Sequence, residues 1–97
     1  MQVVKIVKVN TSWGERFRLQ VTLPNERVVN VRIHACEHCN FVEWAEAAGE
    51  KVADVTLSDD FIAKLTSAVT GGQNRCLAEL VPEGAAALGQ YAEAKKS

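Results

Sequence analysis

Two stretches in the first third of the chain alternate between apolar and polar residues, with the period of two that a half-buried β-strand requires. In residues 16–23 and 27–34 the apolar set is Phe17, Leu19, Val21, Leu23, Val29, Val31 and Ile33. The intervening polar set is Arg16, Arg18, Gln20, Thr22, Asn30, Arg32 and His34. Residues 3–9 are rich in β-branched side chains, and turn-forming residues separate the three stretches. We therefore predict an N-terminal antiparallel three-stranded meander with one apolar and one polar face.

The next part of the chain predicts a helix that begins near Cys36 and ends before Gly49. Its apolar residues fall at i, i+3, i+4 and i+7, on one stripe of a helix, and are Phe41, Trp44, Ala45 and Ala48. Glycine is a residue type that commonly terminates helices. We expect this helix to cover the apolar face of the meander.

A second helix is predicted after Ser58, a preferred N-cap residue. Asp59 and Asp60 follow in the first turn, where the helix dipole favours negative charge. Residues 51–57 are compatible with a strand or a loop, residues 74–81 favour a fourth strand over a helix, and the Ala-rich residues 84–95 predict a last helix. The predicted fold class is therefore α+β, with the meander packed on one face by two or three helices.

Length and cysteine count set further expectations. The 97 residues predict a single domain spanning residues 1–97, because single cores usually contain about 50–200 residues, with a tail that frays from about residue 92. The apolar residues 3–9 are interrupted by Lys5 and Lys8 and are too few for a signal or membrane segment. An odd number of cysteines, three, fits a secreted disulfide framework poorly. We expect a reducing, cytoplasmic location.

Charge is divided unevenly along the chain, although the net charge is only −1. Residues 1–34 carry six basic and two acidic side chains, whereas residues 35–97 carry five basic and ten acidic ones. A net charge near zero gives no long-range attraction of the whole molecule to nucleic acid or membrane. The imbalance instead predicts a basic sheet face and acidic helices.

The polar face of the meander is the first candidate site. Its predicted partner-binding residues are Trp13, Arg16, Arg18, Asn30, Arg32 and His34. Arginine is enriched at interface hot spots, so this face suits a protein partner with an acidic surface. The same arginines are also compatible with nucleic acid, although a base-stacking site usually interleaves aromatic residues. A third interpretation is an ordinary solvated sheet face.

The second candidate site is the segment from His34 to Cys39, which has the sequence His-Ala-Cys-Glu-His-Cys. A tetrahedral zinc site is one hypothesis. Its ligands would be Cys36, Cys39, Cys76 and either His34 or His38. A lone C-x-x-C pair is a weak signal, and a chain with its own core does not need a structural metal. The simplest expectation is therefore no cofactor, with Cys39 and Cys76 as small buried hydrophobic residues and the histidines at the surface.

A thiol-redox site is the remaining hypothesis for the cysteines. A C-x-x-C that follows a strand and opens a helix superficially resembles the thioredoxin redox site, and a helix N-terminus would lower the pKa of Cys36. Pro82 falls at a separation where such folds place a proline near their substrate. The predicted hairpin meander before the motif and the Ala-rich helix after Pro82 depart from that pattern.

No catalytic motif emerges from the sequence, so we predict a protein that is not an enzyme. The favoured hypothesis is a small protein–protein interaction module, acting as a regulator, inhibitor or adaptor through the basic sheet face. Its size and segregated charge are typical of phage or plasmid accessory proteins, by analogy of composition alone. Nucleic-acid binding and a zinc or redox module are the alternatives. No membrane contact is expected, and a homodimer through a sheet edge is compatible with the pattern.

Overall fold

The computed structural model describes residues 2–46, 49–72 and 77–96, with side chains described as far as Tyr91. The strands are β1 (Gln2–Thr11), β2 (Gly14–Thr22), β3 (Val28–Ala35), β4 (Asn40–Ala45) and β5 (Glu50–Leu57). The helices are α1 (Asp59–Thr70) and α2 (Val81–Lys96), and a short 3₁₀ turn (Ala78–Leu80) leads into α2. None of the described helices is long and apolar enough to cross a membrane.

The five strands form one antiparallel sheet in the order β4-β3-β2-β1-β5. The predicted three-stranded meander is therefore wrong as a description of the sheet. β1, β2 and β3 lie side by side in its centre, as the alternation indicated, but β4 extends it at one edge and β5 at the other. The protein is mostly sheet, and the described residues form two helices.

The helix predicted from Cys36 to Gly49 is wrong, because residues 40–45 form β4 along the edge of β3. Val42 pairs with Ile33 and Trp44 with Val31 on the helix-covered face, while Phe41 pairs with His34 on the other face. The apolar residues of this segment satisfy a period of two as well as 3.6. Pairing with β3 satisfies the backbone of this short, aromatic-rich segment and decides between the two periods.

The core lies between the sheet and the two helices. Large side chains that are fully buried there include Ile6, Leu19, Leu57, Phe61 and Leu65. The predicted N-cap of α1 is confirmed: the Ser58 hydroxyl accepts a hydrogen bond from the Phe61 N–H at 3.1 Å. Only the apolar face of the sheet is covered by these helices, which leaves the arginine-bearing face on the outside.

Helix α2 approaches the sheet closely at Gly84. A Cβ atom at this position would lie 2.5 Å from Cδ1 of Ile33, so a larger residue would force either the Ile33 side chain or the helix to move. The predicted strand at 74–81 is wrong over its described part, because residues 78–80 form the 3₁₀ turn and Val81 begins α2. Residues 74–76 lie outside the described part of the chain. Fraying beyond residue 92 stays a prediction.

The connection between β4 and β5 joins the two opposite edges of the sheet. Gly49, the last residue of that connection, packs on the face opposite the helices, where its missing Cβ would lie 2.8 Å from Cγ2 of Val7 and 3.1 Å from Cγ1 of Val9. Val7 is fully buried for this reason, although it shares the face of its partner Arg18. The outer face is thus covered in part near β1, and its arginines lie beside the covered region.

Candidate functional site

A cleft of about 510 Å³ opens on the outer face of the sheet, near the turn between β1 and β2. Its lining residues are Thr11, Trp13, Arg16, Arg18, Arg32, Ile33 and His34. Five of the six residues that the sequence predicted for partner binding therefore lie together. We call this the arginine cleft. Its polar character comes from three guanidinium groups on two neighbouring strands.

The alternation of β2 and β3 is what gathers the three arginines. Arg16 and Arg18 are two positions apart on β2 and therefore point to the same face, and Arg32 lies on the adjacent strand. Arg32 donates to a carboxylate oxygen of Glu43 on β4 at 3.3 Å. Arg16 and Arg18 instead donate to backbone carbonyl oxygens at 2.8 and 3.0 Å. Among the described residues, neither has a carboxylate within salt-bridge distance.

The guanidinium groups repel one another. Burial lowers the pKa of Arg18, and the positive charges of Arg32 and Arg16 lower this pKa further, while Glu43 opposes them. An arginine stays protonated in spite of such a shift. The cleft therefore concentrates positive charge that Glu43 offsets in part, and a bound anion would relieve the repulsion.

Trp13 stands at the rim of the arginine cleft with 82% of its surface exposed. The β1–β2 turn holds it there: the Trp13 N–H donates to the Thr11 hydroxyl at 3.1 Å, and that hydroxyl donates to the Gly14 carbonyl at 2.8 Å. Gly14 has a φ of 103°, a conformation that favours glycine. The turn thus presents a large aromatic side chain beside the guanidinium groups.

Asn30 is the exception among the predicted partner-binding residues. It lies on the outer face, opposite Gln20 and Ala45, but it is buried with an exposure of 5%. Its side-chain oxygen accepts a hydrogen bond from Gln20 at 3.2 Å, and its amide nitrogen has no partner among the described residues. Asn30 therefore does not contribute to the exposed surface of the cleft.

His34 connects the arginine cleft to the cysteine pair. Its ring stacks on Phe41 with the ring centroids 4.6 Å apart and the planes 14° from parallel, and Arg32 lies over the same phenyl ring. Its Nε2 atom is 3.2 Å from Sγ of Cys36. The Phe41 ring thus supports one side of His34 and fixes the plane of the imidazole.

Cys36 and Cys39 lie in the turn between β3 and β4, so the prediction that Cys36 opens a helix is wrong. Their sulfur atoms are 3.6 Å apart, and both residues are exposed free cysteines, so the expectation that Cys39 is buried is wrong. Nε2 or Nδ1 of His34 and the two sulfurs all lie within 4.8 Å of one another. The imidazole of His38 is not a member of this cluster, and Cys76 lies outside the described residues. We call His34, Cys36 and Cys39 the cysteine cluster.

Backbone groups of the turn converge on the sulfur of Cys36. The Cys39 N–H donates to it at 3.2 Å, and the Cys36 N–H donates to the side-chain oxygen of Asn40 at 3.1 Å. Hydrogen bonds from the backbone of Cys39 and then of His38 lower the pKa of Cys36 to about 7. The hydrogen bond to Cys36 raises the pKa of Cys39. The turn therefore favours a thiolate at Cys36 without any helix dipole.

Sequence reasoning missed Phe41 and Glu43 as neighbours of these sites, because it assigned them to a helix. Strand pairing places Phe41 beside His34 and Glu43 beside Arg32. The available signal was the alternation of Val42 and Trp44 with Phe41 and Glu43, which also fits a strand.

Protein-family models, curated proteins and solved structures gave no match to this chain. The function is therefore inferred from the arginine cleft and the cysteine cluster themselves.

Proposed function

We propose that this protein is a non-enzymatic binding module that docks an acidic segment of a protein partner in the arginine cleft. The observation that carries the proposal is that three guanidinium groups line one cleft, and two of them meet no carboxylate among the described residues. Two or more carboxylates of a partner would supply the missing negative charge.

The chemistry of the cleft favours carboxylates. An arginine presents a planar fork of N–H donors that matches a carboxylate with two parallel hydrogen bonds. Because Arg18 is partly buried, a pair formed there is less screened by solvent than one between fully exposed side chains. Trp13 adds exposed aromatic surface beside these donors. Tryptophan and arginine are the residue types that most often dominate protein interfaces.

Nucleic acid is the less favoured ligand of the same cleft. A strand of phosphates needs an extended basic track, and the cleft offers three arginines, one of which is already paired with Glu43. Trp13 is the single aromatic side chain that lines the cleft in the described part of the chain, whereas binding of single strands relies on several stacking platforms. The net charge of −1 adds no long-range attraction.

A module of this kind regulates, inhibits or recruits its partner by occupying an acidic surface. Small accessory proteins of phage or plasmid type are one such setting. We place the protein in the cytoplasm, where a reducing environment keeps exposed thiols such as Cys36 and Cys39 free.

Titration with short peptides tests the proposal. A Glu/Asp-rich peptide, its Gln/Asn counterpart and a single-stranded oligonucleotide are each added to the protein, and heat of binding is measured together with tryptophan fluorescence. Tryptophan fluorescence of a Trp13→Phe variant comes from Trp44 alone, so the difference from the wild type gives the contribution of Trp13. We expect the acidic peptide alone to bind, and Arg16→Glu to weaken it roughly tenfold, which is about 1.4 kcal/mol.

Lys64→Glu supplies the control, because it changes the charge equally on α1, away from the cleft. It should leave the affinity for the acidic peptide nearly unchanged. Tighter binding of the oligonucleotide, with a steep loss of affinity in salt and no dependence on base sequence, would replace the proposal by nucleic-acid binding. Equal weakening by Arg16→Glu and Lys64→Glu would show that net charge, and not the cleft, governs binding.

A further inference from the structure

We propose that the cysteine cluster binds one zinc ion per chain, through Nε2 of His34 and the thiolates of Cys36 and Cys39, with the fourth tetrahedral position open to solvent. The proposal goes beyond the docking of an acidic partner and does not depend on it. It assigns a ligand to the one group of side chains in the described residues that combines thiols with an imidazole.

The distances between the ligand atoms are close to those of a zinc site. Two sulfurs at about 2.3 Å from a tetrahedral zinc ion would be about 3.8 Å apart, and a sulfur and an imidazole nitrogen would be about 3.6 Å apart. The observed separations are 3.6 Å between the two sulfurs and 3.2 Å between Nε2 of His34 and Sγ of Cys36. These two pairs need to move apart by only a few tenths of an ångström to admit the ion, and the His34 nitrogen and the Cys39 sulfur lie within 4.8 Å of each other.

The turn is already arranged to support metal-bound sulfur. The Cys39 N–H that points at Cys36 can remain there when this sulfur carries a metal, because a backbone donor stabilises the negative charge of a thiolate. Asn40 anchors the backbone of Cys36 from the start of β4. The two ends of the turn are held by paired strands, with Ala35 opposite Asn40. Ligands on a short turn between paired strands lose little conformational entropy when the ion binds.

The imidazole is oriented in the same way. His34 lies on β3, and its ring stacks on Phe41, so the plane of the ring is fixed before the ion arrives. Its Nε2 atom already faces Cys36. A side chain whose rotamer is locked by packing holds a binding site in the productive geometry.

The donor set selects the metal. Thiolate and imidazole ligands suit zinc, whereas calcium and magnesium require oxygen ligands. Binding replaces the two thiol protons, including the one that Cys36 directs at the Cys39 carbonyl oxygen at 2.9 Å, and releases them to solvent. Three protein ligands and a bound water complete the four positions of zinc, as in sites that keep one position exchangeable.

The experiment uses the full chain, reduced and free of metal, with zinc chloride as the probe. Affinity is measured by competition with a chromogenic chelator, stoichiometry by native mass spectrometry, and ligand type by the absorption of the cobalt(II)-substituted protein. We expect one ion per chain, thiolate-to-cobalt charge transfer, and visible bands of tetrahedral intensity.

Single variants identify the ligands. Cys36→Ser, Cys39→Ser and His34→Gln should each weaken zinc binding by more than the roughly 10- to 100-fold that loss of an outer-shell partner costs. His38→Gln, the matched control, should leave the affinity and the cobalt spectrum unchanged. Cys76→Ser tests whether a third thiol occupies the fourth position, which the proposal leaves to solvent. Circular dichroism verifies that each variant is folded, and Cys36 and Cys39 are exposed, so the fold does not depend on burying them.

Several results would overturn the proposal. These are no binding of zinc, one ion shared by two chains, a change of the cobalt spectrum in Cys76→Ser, and unchanged affinity in His34→Gln. Formation of a Cys36–Cys39 disulfide in air, with no zinc bound after reduction, would point to redox chemistry in its place. Acidic-peptide binding by Cys36→Ser remains a separate measurement, so failure of the zinc site and failure of the arginine cleft are distinguishable.

Discussion

Glu83 accepts two hydrogen bonds from Ser58, one from its backbone N–H and one from its hydroxyl, each at 2.6 Å. Ser58 is also the N-cap of α1, and Glu83 lies in the first turn of α2. The two residues therefore tie the beginnings of both helices to the end of β5. This clamp holds the helical layer in register with the sheet that carries the arginine cleft on its other side.

Removal of this clamp should cost stability without affecting the cleft. Glu83→Ala leaves two partly buried donors of Ser58 without their acceptor, so we expect a loss of about 1–3 kcal/mol in the free energy of unfolding. Urea denaturation monitored by circular dichroism measures it. Ser58→Ala also removes the N-cap of α1, and loss of this cap alone should lower the free energy of unfolding by about 1 kcal/mol. Wild-type stability in Glu83→Ala would show that the clamp contributes nothing to the fold.

Two glycines of α2 should respond in opposite directions to alanine. A Cβ at Gly84 meets Ile33 of β3, so Gly84→Ala should destabilise the protein by about 1–3 kcal/mol, the usual cost of overpacking a core. Beyond the helix backbone around it, no described atom lies within 4 Å of a Cβ at Gly89, so Gly89→Ala should stabilise the helix by up to about 1 kcal/mol. The difference in melting temperature between the two variants is the measurement. Similar effects at both positions would contradict the close approach of α2 to β3.

The two thiols of the cysteine cluster should differ in their reaction with alkylating agents. Backbone hydrogen bonds lower the pKa of Cys36 to about 7, so its thiolate fraction, and with it the alkylation rate, should rise as the pH increases through about 7. Cys39 has a raised pKa and should react only at higher pH. Mass spectrometric mapping of iodoacetamide adducts at a series of pH values compares the two, in metal-free protein. Equal rates with a midpoint near the ordinary thiol value of about 8.5 would contradict the arrangement of the turn.

The arginine cleft was predictable because alternation fixes the face of a strand. The period of two in residues 16–23 and 27–34 places the arginines on one side whatever the rest of the chain does. Burial on that side is not local: Asn30 belongs to the same set and is buried, and Val7 is covered by Gly49 from a distant connection. The sequence pattern therefore predicts the face of the sheet on which a side chain lies, but not how deeply that side chain is buried.

The edge strands show where pattern reasoning fails. Residues 41–48 satisfy a helical stripe, and residues 40–45 equally satisfy a strand, so only pairing with β3 decides between them. That pairing joins two neighbouring segments of a hairpin, from Ala35 with Asn40 to Asn30 with Ala45, and the spacing within one segment does not contain it. The prediction for the cysteines was wrong for the same reason, because it placed Cys36 at the start of a helix that would lower its pKa. The lowered pKa is found, but it arises from the backbone N–H groups of a hairpin turn.

Capture of the native partner tests the central claim most directly. The tagged protein is used as bait in extract of its own cell, alongside an Arg18→Glu/Arg32→Glu variant and a Lys51→Glu/Lys64→Glu variant that changes net charge equally outside the cleft. We predict that the wild type and the lysine variant retain one stoichiometric partner with an acidic surface, and that the folded arginine variant loses it. Retention of that partner by the arginine variant would contradict the assignment of the cleft as the docking site.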